Sequence, residues 1–391
     1  MIIAFDTFFL SKRFRNVGVY EYTKNLFNEF HKLAGEDSST SFRYFVSSGY
    51  SEGMLGLKSS PGFEAVSTRL LSFHRLWRLG LVNCAAVHAR ADLLFSSSPN
   101  IFPSGALPVA VTIHDAIPKR LPPQLVGASG RLRMNAWVAA KLSQMILTDS
   151  EHSKKDLVEL YDLPAEKVSV VYLGYDQVRF NSSQVDPSQQ AALQAKLGIR
   201  GPYILHHGMV ELRKNVAKLI EAYKILLSRH PNFEFQLVFG GRLGFGSDQI
   251  LRAAEGLARQ GKVIFSGPLT EQELAPLVKG ASLCVIPSLY EGFCLPMVEA
   301  MACGVPTIAA NSSCLPEISG GVLRYFDPLA EDEMAATIED VLGHRDLQTE
   351  LIEKGLKRAS EFSWRRCAQE TIAVLTGFSR RGCLATSSNL N

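Results

Sequence analysis

Short apolar, β-branched segments alternate with segments of helical periodicity along this 391-residue chain. Strands that are followed by helices in this way form parallel sheets from βαβ units, so the pattern restricts the chain to the α/β class. In the first half we predict strands at 2–6, 42–47, 92–96, 109–113, 145–149 and 168–172. In the second half we predict them at 203–207, 235–239, 262–266, 282–286, 306–309 and 322–325.

We expect two such sheets, because 391 residues are more than one ordinary hydrophobic core holds. The segment 174–201 is polar and contains Asn181-Ser182-Ser183 and Pro187-Ser188-Gln189, as a connection between domains would. The sequence therefore predicts two doubly wound, Rossmann-like domains that are joined near residue 180.

Charge and cysteine content exclude several classes of protein. The net charge is +3, and no Lys/Arg-rich run indicates a nucleic-acid partner. Residues 1–180 carry a net charge of +4 and the remainder −1. The seven cysteines are odd in number and form no CxxC pair, which favours a reducing cytoplasm over a disulfide framework. The sequence contains no run of 18 apolar residues, so we predict no membrane-spanning segment.

One segment carries the most specific chemistry of the chain. After the strand at 282–286, a short loop carries Glu291, Pro296 is suited to a first helical position, and 297–303 has a helical pattern that ends at Gly304. A helix N-terminus binds anions such as a pyrophosphate. We place Glu299 in the first turn, where its carboxylate accepts hydrogen bonds from ribose hydroxyls, and Glu291 at a second sugar. Two sugars that flank a pyrophosphate describe a nucleotide sugar.

The stretch PSLYEGFCLPMVEAMACGVPTIAANSSCLPEI resembles the retaining nucleotide-sugar glycosyltransferases of family 4, and weaker likeness extends over most of the chain. The resemblance implies the GT-B fold, in which two Rossmann-like domains face each other across a cleft. It implies an acceptor-binding domain at 1–180 that is completed by a crossover helix at 365–378, and a donor-binding domain at 181–364. The polar segment 379–391 lacks periodicity, and we expect it to be a disordered tail.

The resemblance also assigns donor-binding residues in the second domain. Lys214 and Arg213 would neutralise the leaving diphosphate, and Met209 stands where many relatives have an arginine. Cys294 replaces a commoner glycine, so that its side chain narrows the pocket and its thiol is open to oxidation. Backbone groups are expected to hold the phosphates and the base, and the residues predicted for this are Gly208, Gly241, Gly267, Gly292, Phe293, Cys294 and Leu295.

In the first domain, His114 follows the strand at 109–113, and the family's equivalent histidine faces the transferred sugar. Asp115 is predicted either to orient that imidazole or to bind the acceptor. Gly18 opens a helix in Arg15-Asn16-Val17-Gly18-Val19-Tyr20, where the family commonly has paired glycines beside the donor phosphates, so it is the remaining candidate of that pair.

These residues predict a glycosyltransferase that retains anomeric configuration and uses no metal, because the chain has no D-x-D motif and no ligand cluster for a divalent ion. The acceptor is left open as a saccharide or a lipid-linked saccharide. The subpattern FDTFF, NVGVY, TIHDAIP and ELRKN is most similar to bacterial transferases of surface polysaccharides, among which mannosyl donors are frequent. The alternatives are a nucleotide-sugar epimerase on the same fold and a non-catalytic protein that binds nucleotide sugar.

The segment 67–79 (STRLLSFHRLWRL) interleaves three arginines with Leu, Phe and Trp at near-helical spacing. Such a helix is suited to the headgroup region of an anionic membrane, and this would place the protein at the inner face of the plasma membrane. The alternative is a helix that packs its Leu and Trp side chains into the core of the domain.

Overall fold

The structure is a computed structural model that describes residues 1–10, 18–36, 39–47, 60–69, 74–127 and 130–387. The chain forms two compact units. Unit 1 comprises Met1–Lys119, Ala128–Gly174 and Trp364–Asn391, and unit 2 comprises Arg120–Gly127 and Tyr175–Ser363. The connection between the units thus begins at Gly174, slightly before the predicted boundary at 180, and a short piece of the first half belongs to unit 2.

Unit 1 contains a parallel sheet of seven strands in the order β3-β2-β1-β4-β5-β6-β7. Its strands are β1 (Ile2–Asp6), β2 (Ser41–Ser47), β3 (Phe63–Thr68), β4 (Leu93–Ser96), β5 (Val109–Thr112), β6 (Met145–Thr148) and β7 (Val168–Val170). The strand order reverses between β1 and β4, which pair from Ile3 opposite Leu93 to Asp6 opposite Ser96. Ligands of doubly wound sheets bind beyond the carboxyl ends of the strands at such a reversal.

Unit 2 contains a parallel sheet of six strands in the order β10-β9-β8-β11-β12-β13. Its strands are β8 (Tyr203–His207), β9 (Gln236–Gly240), β10 (Val263–Phe265), β11 (Leu283–Ile286), β12 (Thr307–Ala310) and β13 (Arg324–Phe326). Here the order reverses between β8 and β11, where Leu283 pairs with Ile204 and Cys284 with Leu205. The second candidate ligand position is therefore the space beyond His207 and Ile286.

The helices alternate with the strands along the chain. In unit 1 they are α1 (Gly18–Glu36), α2 (His74–Leu76), α3 (Val82–His88), α4 (Ile117–Arg120), α6 (Gly130–Leu142), α7 (Glu151–Tyr161) and α16 (Trp364–Ser387), and α5 (Pro123–Val126) belongs to unit 2. The others in unit 2 are α8 (Pro187–Leu197), α9 (Val216–Arg229), α10 (Ser247–Arg259), α11 (Glu271–Lys279), α12 (Leu295–Ala302), α13 (Leu315–Ser319), α14 (Glu331–Gly343) and α15 (Arg345–Ala359). Single turns of 3₁₀-helix lie at Phe8–Leu10, Ala165–Lys167 and Leu212–Lys214, and a π-helical turn lies at Trp77–Leu81.

Two sequence predictions are wrong. The strand β3 was not predicted, and it includes Ser67 and Thr68, so the segment 67–79 is not one continuous amphipathic helix. Helix α16 continues to Ser387, so 379–387 is helical and not a disordered tail. Within this helix Cys367, Ala368 and Leu375 are buried, so the helix packs an apolar stripe into unit 1.

Candidate functional site

The reversal point of the second sheet collects most of the predicted donor-binding residues. Strand β8 ends at His207 and is followed by Gly208 and the turn Leu212–Lys214. Strand β11 ends at Ile286, and the loop after it carries Glu291 into helix α12. Side chains that are distant in sequence therefore meet at one edge of the sheet, as expected for parallel strands.

Glu291 is buried, and both of its carboxylate oxygens are held. The Lys214 Nζ lies 2.5 Å from Oε1, the Arg213 Nη1 lies 3.0 Å from Oε2, and the Ser288 hydroxyl donates to Oε1 at 2.7 Å. The backbone N–H of Glu291 donates to the Ser313 hydroxyl at 3.0 Å. The orientation of the carboxylate is thus fixed from several directions at once.

Burial alone would favour the neutral form of Glu291, but the charges of Arg213 and Lys214 and the hydrogen bonds from Lys214 and Ser288 outweigh it and lower the pKa of Glu291 to about 2. The glutamate is therefore an anion at neutral pH. An anion with so low a pKa is a poor proton acceptor, and it is better suited to binding hydroxyl groups or stabilising positive charge.

The basic pair Arg213 and Lys214 was predicted to face a leaving diphosphate. In the structure both side chains also contact the carboxylate of Glu291. Arg213 contacts Glu291 and also donates to the Tyr290 carbonyl and to Glu211, both at 2.6 Å, so its guanidinium positions the loop. Lys214 has three N–H donors and contacts Glu291 with one. Its Nζ lies 3.9 Å from where a side chain on Gly208 would begin, so the ammonium group is beside the backbone of that loop.

Glu299 is the fifth residue of α12, one residue further along than in the predicted helix that starts at Pro296, and so it lies just beyond the first turn. Its Oε2 lies 2.6 Å from the His207 Nε2 at the end of β8. The side chain of Glu299 remains partly accessible. A second carboxylate is therefore available beside the helix N-terminus, with one oxygen already engaged.

The predicted glycine positions bring two loops into backbone contact. Gly208 donates its N–H to the Gly240 carbonyl at 3.0 Å. A Cβ on Gly241 would lie 2.1 Å from the Gly208 carbonyl oxygen, so only glycine allows this approach. Gly267 follows β10 with φ of +68°. These loops end strands β8, β9 and β10 at the same edge, where their backbone groups are placed for a ligand.

The loop from Gly292 to Leu295 leads directly into α12. Phe293 is buried and packs edge-on against Phe362, with ring centroids 5.3 Å apart. Cys294 occupies the N-cap with a left-handed φ of +73°, and its side chain makes no capping hydrogen bond. Burial raises the pKa of the Cys294 thiol to about 12. Burial and a raised pKa both disfavour the reactive thiolate, which argues against the expected oxidation sensitivity.

At the edge of the first sheet, His114 follows β5 and makes two contacts with hydrogen-bond acceptors. Its Nδ1 lies 2.8 Å from Asp149 Oδ2, and its Nε2 lies 3.2 Å from the Ser97 carbonyl oxygen. Because neither partner donates, this arrangement favours a hydrogen on each ring nitrogen, that is, the imidazolium form. Burial opposes this charge, but the carboxylate of Asp149 outweighs it and raises the pKa of His114.

The sequence did not identify Asp149 as the partner of His114. The Asp115 carboxylate accepts from the backbone N–H of Ile117 at 2.9 Å, at the start of α4, and its charge also helps to raise the pKa of His114. The available signal was the position of Asp149 at the end of a predicted strand, where ligand-facing residues are found. Gly18 is the exposed first residue of α1, and the predicted loop residues 15–17 before it lie outside the described residues.

Metal ligands are sparse over the described ranges, which contain no group of three or more His, Cys, Asp or Glu that could hold an ion. Six cysteines in those ranges are free thiols. No helix among the described residues is long and apolar enough to cross a membrane.

The fold and this site define a class: proteins with two Rossmann-like parallel sheets and a helix N-terminus at the reversal point of the second sheet. Residues 189–358 match the family model described as glycosyl transferases group 1, which confirms the predicted resemblance at that level. The structure of Anabaena Alr3699/HepE in complex with UDP-glucose is similar, with a TM-score of 0.71 at 18% identity over 96% of this chain and all of that one. The predicted fold class, two Rossmann-like parallel-sheet domains as in GT-B proteins, is thus confirmed.

Two curated relatives from Escherichia coli are similar in sequence. The O-antigen chain mannosyltransferase B is 32% identical over 232 residues, which cover 59% of this chain and 60% of that protein. The serotype-specific mannosyltransferase WbdA is 30% identical over 276 residues, 68% of this chain and 33% of that protein. The chain thus spans between a third and three fifths of the length of these relatives.

Proposed function

We propose that this protein is a retaining, metal-independent glycosyltransferase that moves a hexosyl group from a nucleoside diphosphate sugar to a saccharide or lipid-linked saccharide acceptor. The observation that carries this proposal is the placement of Glu291 and Glu299 on either side of the N-terminus of α12. The two mannosyltransferase relatives support a mannosyl donor and a role in bacterial surface polysaccharide synthesis.

Each group at the second sheet has a defined task in this reaction. Glu299 accepts hydrogen bonds from the ribose, and the backbone from Gly292 to Leu295 binds the diphosphate with the positive end of the α12 dipole. Glu291, held as an anion by Lys214, binds hydroxyls of the transferred sugar. The remaining N–H donors of Lys214 stabilise the leaving diphosphate as its negative charge develops.

His114 and the first sheet serve the other half of the reaction. The imidazolium that Asp149 and the Ser97 carbonyl hold has no free lone pair, so it acts as a fixed donor and positive charge and not as a general base. The acceptor attacks from the face that the diphosphate leaves, and the departing phosphate takes the acceptor proton. Asp115 remains the candidate acceptor-binding carboxylate of this unit.

The rival functions require chemistry that this site supports less well. An epimerase needs an acid and a base with pKa values near neutrality, whereas the pKa of Glu291 is about 2. A non-catalytic nucleotide-sugar binder has no need for a carboxylate that two cations and a hydroxyl fix in place. Both rivals remain distinguishable by experiment.

Release of nucleoside diphosphate from a panel of GDP- and UDP-linked sugars tests the proposal, with and without short mannosides as acceptors. We expect acceptor-dependent release with one donor, and unchanged rates in EDTA. Sugar isomerisation without release would indicate an epimerase, and binding without turnover a non-catalytic protein. A large loss of rate in EDTA that magnesium or manganese restores would refute the metal-free mechanism.

The ribose assignment has its own test in calorimetry with GDP and UDP. Truncation of the carboxylate in Glu299→Ala should weaken binding by about 1.5–3 kcal/mol, the range for hydrogen bonds to a charged group. Glu350→Ala, which removes an exposed glutamate paired with Lys354 on α15, is the matched control and should bind as wild type does. Wild-type affinity in Glu299→Ala would contradict the assignment.

We further propose that unit 1 contacts the cytoplasmic face of an anionic membrane, through a surface that keeps only part of the predicted segment 67–79. Trp77 is fully buried and donates to Asp6 at 3.0 Å, so it belongs to the core, and 70–73 lie outside the described residues. The exposed apolar side chains Leu79, Phe102 and Met134 line one groove of about 300 Å³ together with Arg75 and Arg78.

Charge supports this membrane contact. Residues 65–148 contain nine Lys/Arg and two Asp/Glu, a net charge of +7 in a chain whose total is +3. Apolar side chains that enter the headgroup region beside arginines are the physical basis of peripheral binding to anionic lipid. A lipid-linked acceptor would then meet the enzyme at the membrane surface.

Co-sedimentation with vesicles of phosphatidylglycerol and phosphatidylethanolamine tests the contact at low salt. Wild type should pellet, and the combined Leu79→Ser and Met134→Ser variant should stay in the supernatant. Leu329→Ser, which alters an exposed leucine of unit 2, is the control and should pellet as wild type does. If wild type remains in the supernatant, the membrane contact is wrong and a soluble acceptor is favoured.

A further inference from the structure

The sequence assigned Glu299 to donor binding but did not assign His207, so the contact between these two residues was not predicted. We propose that His207 is a positioning residue for the nucleotide: it holds one oxygen of Glu299 so that the other faces the ribose hydroxyls. This inference rests on the proposed function, in which Glu299 binds the ribose. It adds a residue whose effect is exerted entirely through that carboxylate.

The geometry of the pair is well defined. His207 is the last residue of β8, at the reversal point of the sheet, and its Nε2 lies 2.6 Å from Glu299 Oε2. Because a carboxylate can only accept, Nε2 carries the hydrogen and donates it. The side chain of His207 is buried at 8% exposure and that of Glu299 is 15% exposed, so water competes weakly for the bond.

The other ring nitrogen of His207 argues against a role in packing alone. Its Nδ1 is buried and has no hydrogen-bond partner among the residues that the structure describes. A buried polar atom without a partner is unfavourable, and a residue that only filled space at this strand end would be apolar, as Ile204 and Leu205 are. The contact with Glu299 is the interaction that offsets this disadvantage.

The two glutamates of the site differ in how many groups hold them. Glu291 is held by Lys214, Arg213 and Ser288. For Glu299, the side-chain hydrogen bond within the described part of the chain is the one from His207. The conformation of the Glu299 carboxylate therefore depends on a single neighbour. Loss of that neighbour allows the carboxylate to adopt other rotamers, which weakens its bonds to a ligand.

The test compares three substitutions of His207 by calorimetry with GDP and UDP and by steady-state kinetics. In His207→Gln the side-chain amide nitrogen reaches the position of Nε2. The side chain of His207→Asn is too short to place its amide nitrogen there, and His207→Leu has no hydrogen-bond donor. We expect Leu and Asn to weaken nucleotide binding about tenfold and to raise the donor KM about tenfold with kcat within about twofold. Gln should restore affinity to within about threefold of wild type.

A double-mutant cycle with Glu299→Ala separates positioning from a general structural effect. His207→Leu should weaken binding no further when Glu299 is already alanine. His230→Leu is the matched control, because His230 Nε2 contacts Glu339 Oε1 at 2.8 Å on the exposed surface of the same unit. That variant should bind as wild type does.

The outcomes distinguish a failure of this inference from a failure of the proposed function on which it rests. If Glu299→Ala weakens binding and His207→Leu does not, His207 has no positioning role. An equal loss from His207→Leu with and without Glu299, or equal affinities of the Gln and Asn variants, would also overturn it. If Glu299→Ala itself binds both nucleotides as wild type does, the ribose assignment fails first.

Discussion

The carboxyl edges of the two sheets are built in the same way but carry different chemistry. At the second sheet, Lys214 and Arg213 converge on Glu291 in a buried network of charges. At the first sheet there is a single His–carboxylate pair, His114 and Asp149, and the buried Tyr22 ring packs edge-on against His114 with ring centroids 4.8 Å apart. The charged edge of the second sheet suits a diphosphate, whereas the edge of the first sheet offers one ionisable pair beside an aromatic ring.

The difference also shows how each site depends on chain order. Glu291, Glu299 and the loop between them come from one continuous segment, so a single strand-to-helix transition assembles most of the second site. His114, Asp149 and Ser97 follow three separate strands, β5, β6 and β4. The first site therefore exists only when the sheet has formed, and its residues are individually unremarkable in sequence.

The largest expected effect comes from removing the buried carboxylate of the charged edge, which is the carboxyl edge of the second sheet. In Glu291→Ala, Lys214 and Arg213 lose their common buried partner, so the free energy of unfolding should fall by about 3–5 kcal/mol and turnover by at least about a hundredfold. Urea unfolding and nucleoside diphosphate release measure the two effects. Glu331→Ala, which removes a partly exposed carboxylate paired with Lys218, should change stability by less than about 1 kcal/mol.

The pH dependence of the same variant sharpens this prediction. The pKa of Glu291 is lowered to about 2 from an ordinary value of 4.5, so its ionised form stabilises the fold above pH 4.5. The stability difference between wild type and Glu291→Ala should thus persist to pH 4.5 and shrink as the pH falls toward 2. A difference that is independent of pH over this range would show that packing, and not charge, makes the contribution.

A substitution at the carboxyl edge of the first sheet is expected to have an intermediate effect. Asp149→Asn keeps the size of the side chain but removes the charge that raises the pKa of His114. We expect a loss of about 1–3 kcal/mol in the free energy of unfolding and roughly tenfold in turnover. Because the folded pKa of His114 lies above its ordinary 6.5, the stabilisation is complete below pH 6.5 and disappears as the pH rises through the folded value.

Unfolding in urea at pH 5.5, 7 and 9 measures this effect, and the difference between Asp149→Asn and wild type should be largest at the lowest pH. The control is Asp340→Asn, which disrupts an exposed pair with His344 at 3.1 Å and should have little effect at any pH. A difference that grows with pH would mean that His114 is held in its neutral form.

The sequence predicted most of the fold because buried parallel strands appear as continuous apolar runs. Each of the twelve predicted strands has a counterpart, and the bounds of β1 and β8 agree to the residue. Strand β3 (Phe63–Thr68) was missed because it lies at the edge of the sheet and ends in Ser67 and Thr68, which merge with the arginine-rich segment that follows. A strand with this composition has no apolar run that marks it.

The site was predicted unevenly for a related reason. Local motifs located Glu291, Lys214 and His114 in segments that follow strands, and Glu299 in the helix after β11. The partners that fix them come from far along the chain: His207 from 92 residues before Glu299, and Asp149 from 35 residues after His114. Periodicity defines elements but not which strands become neighbours, so pairs of this kind become apparent only in the folded sheet.

The smallest expected effect concerns the loop that leads into α12 at the charged edge. Cys294 has a left-handed φ of +73°, which costs a residue with a side chain about 1–2 kcal/mol, whereas glycine adopts it without strain. Cys294→Gly should therefore be more stable than Cys294→Ala by about 1 kcal/mol in urea unfolding. At Cys303, where φ is −76° at the other end of the helix, the same pair should favour alanine. If alanine is the more stable replacement at both positions, the loop relaxes away from the left-handed conformation, and the charged edge is less rigid than its contacts imply.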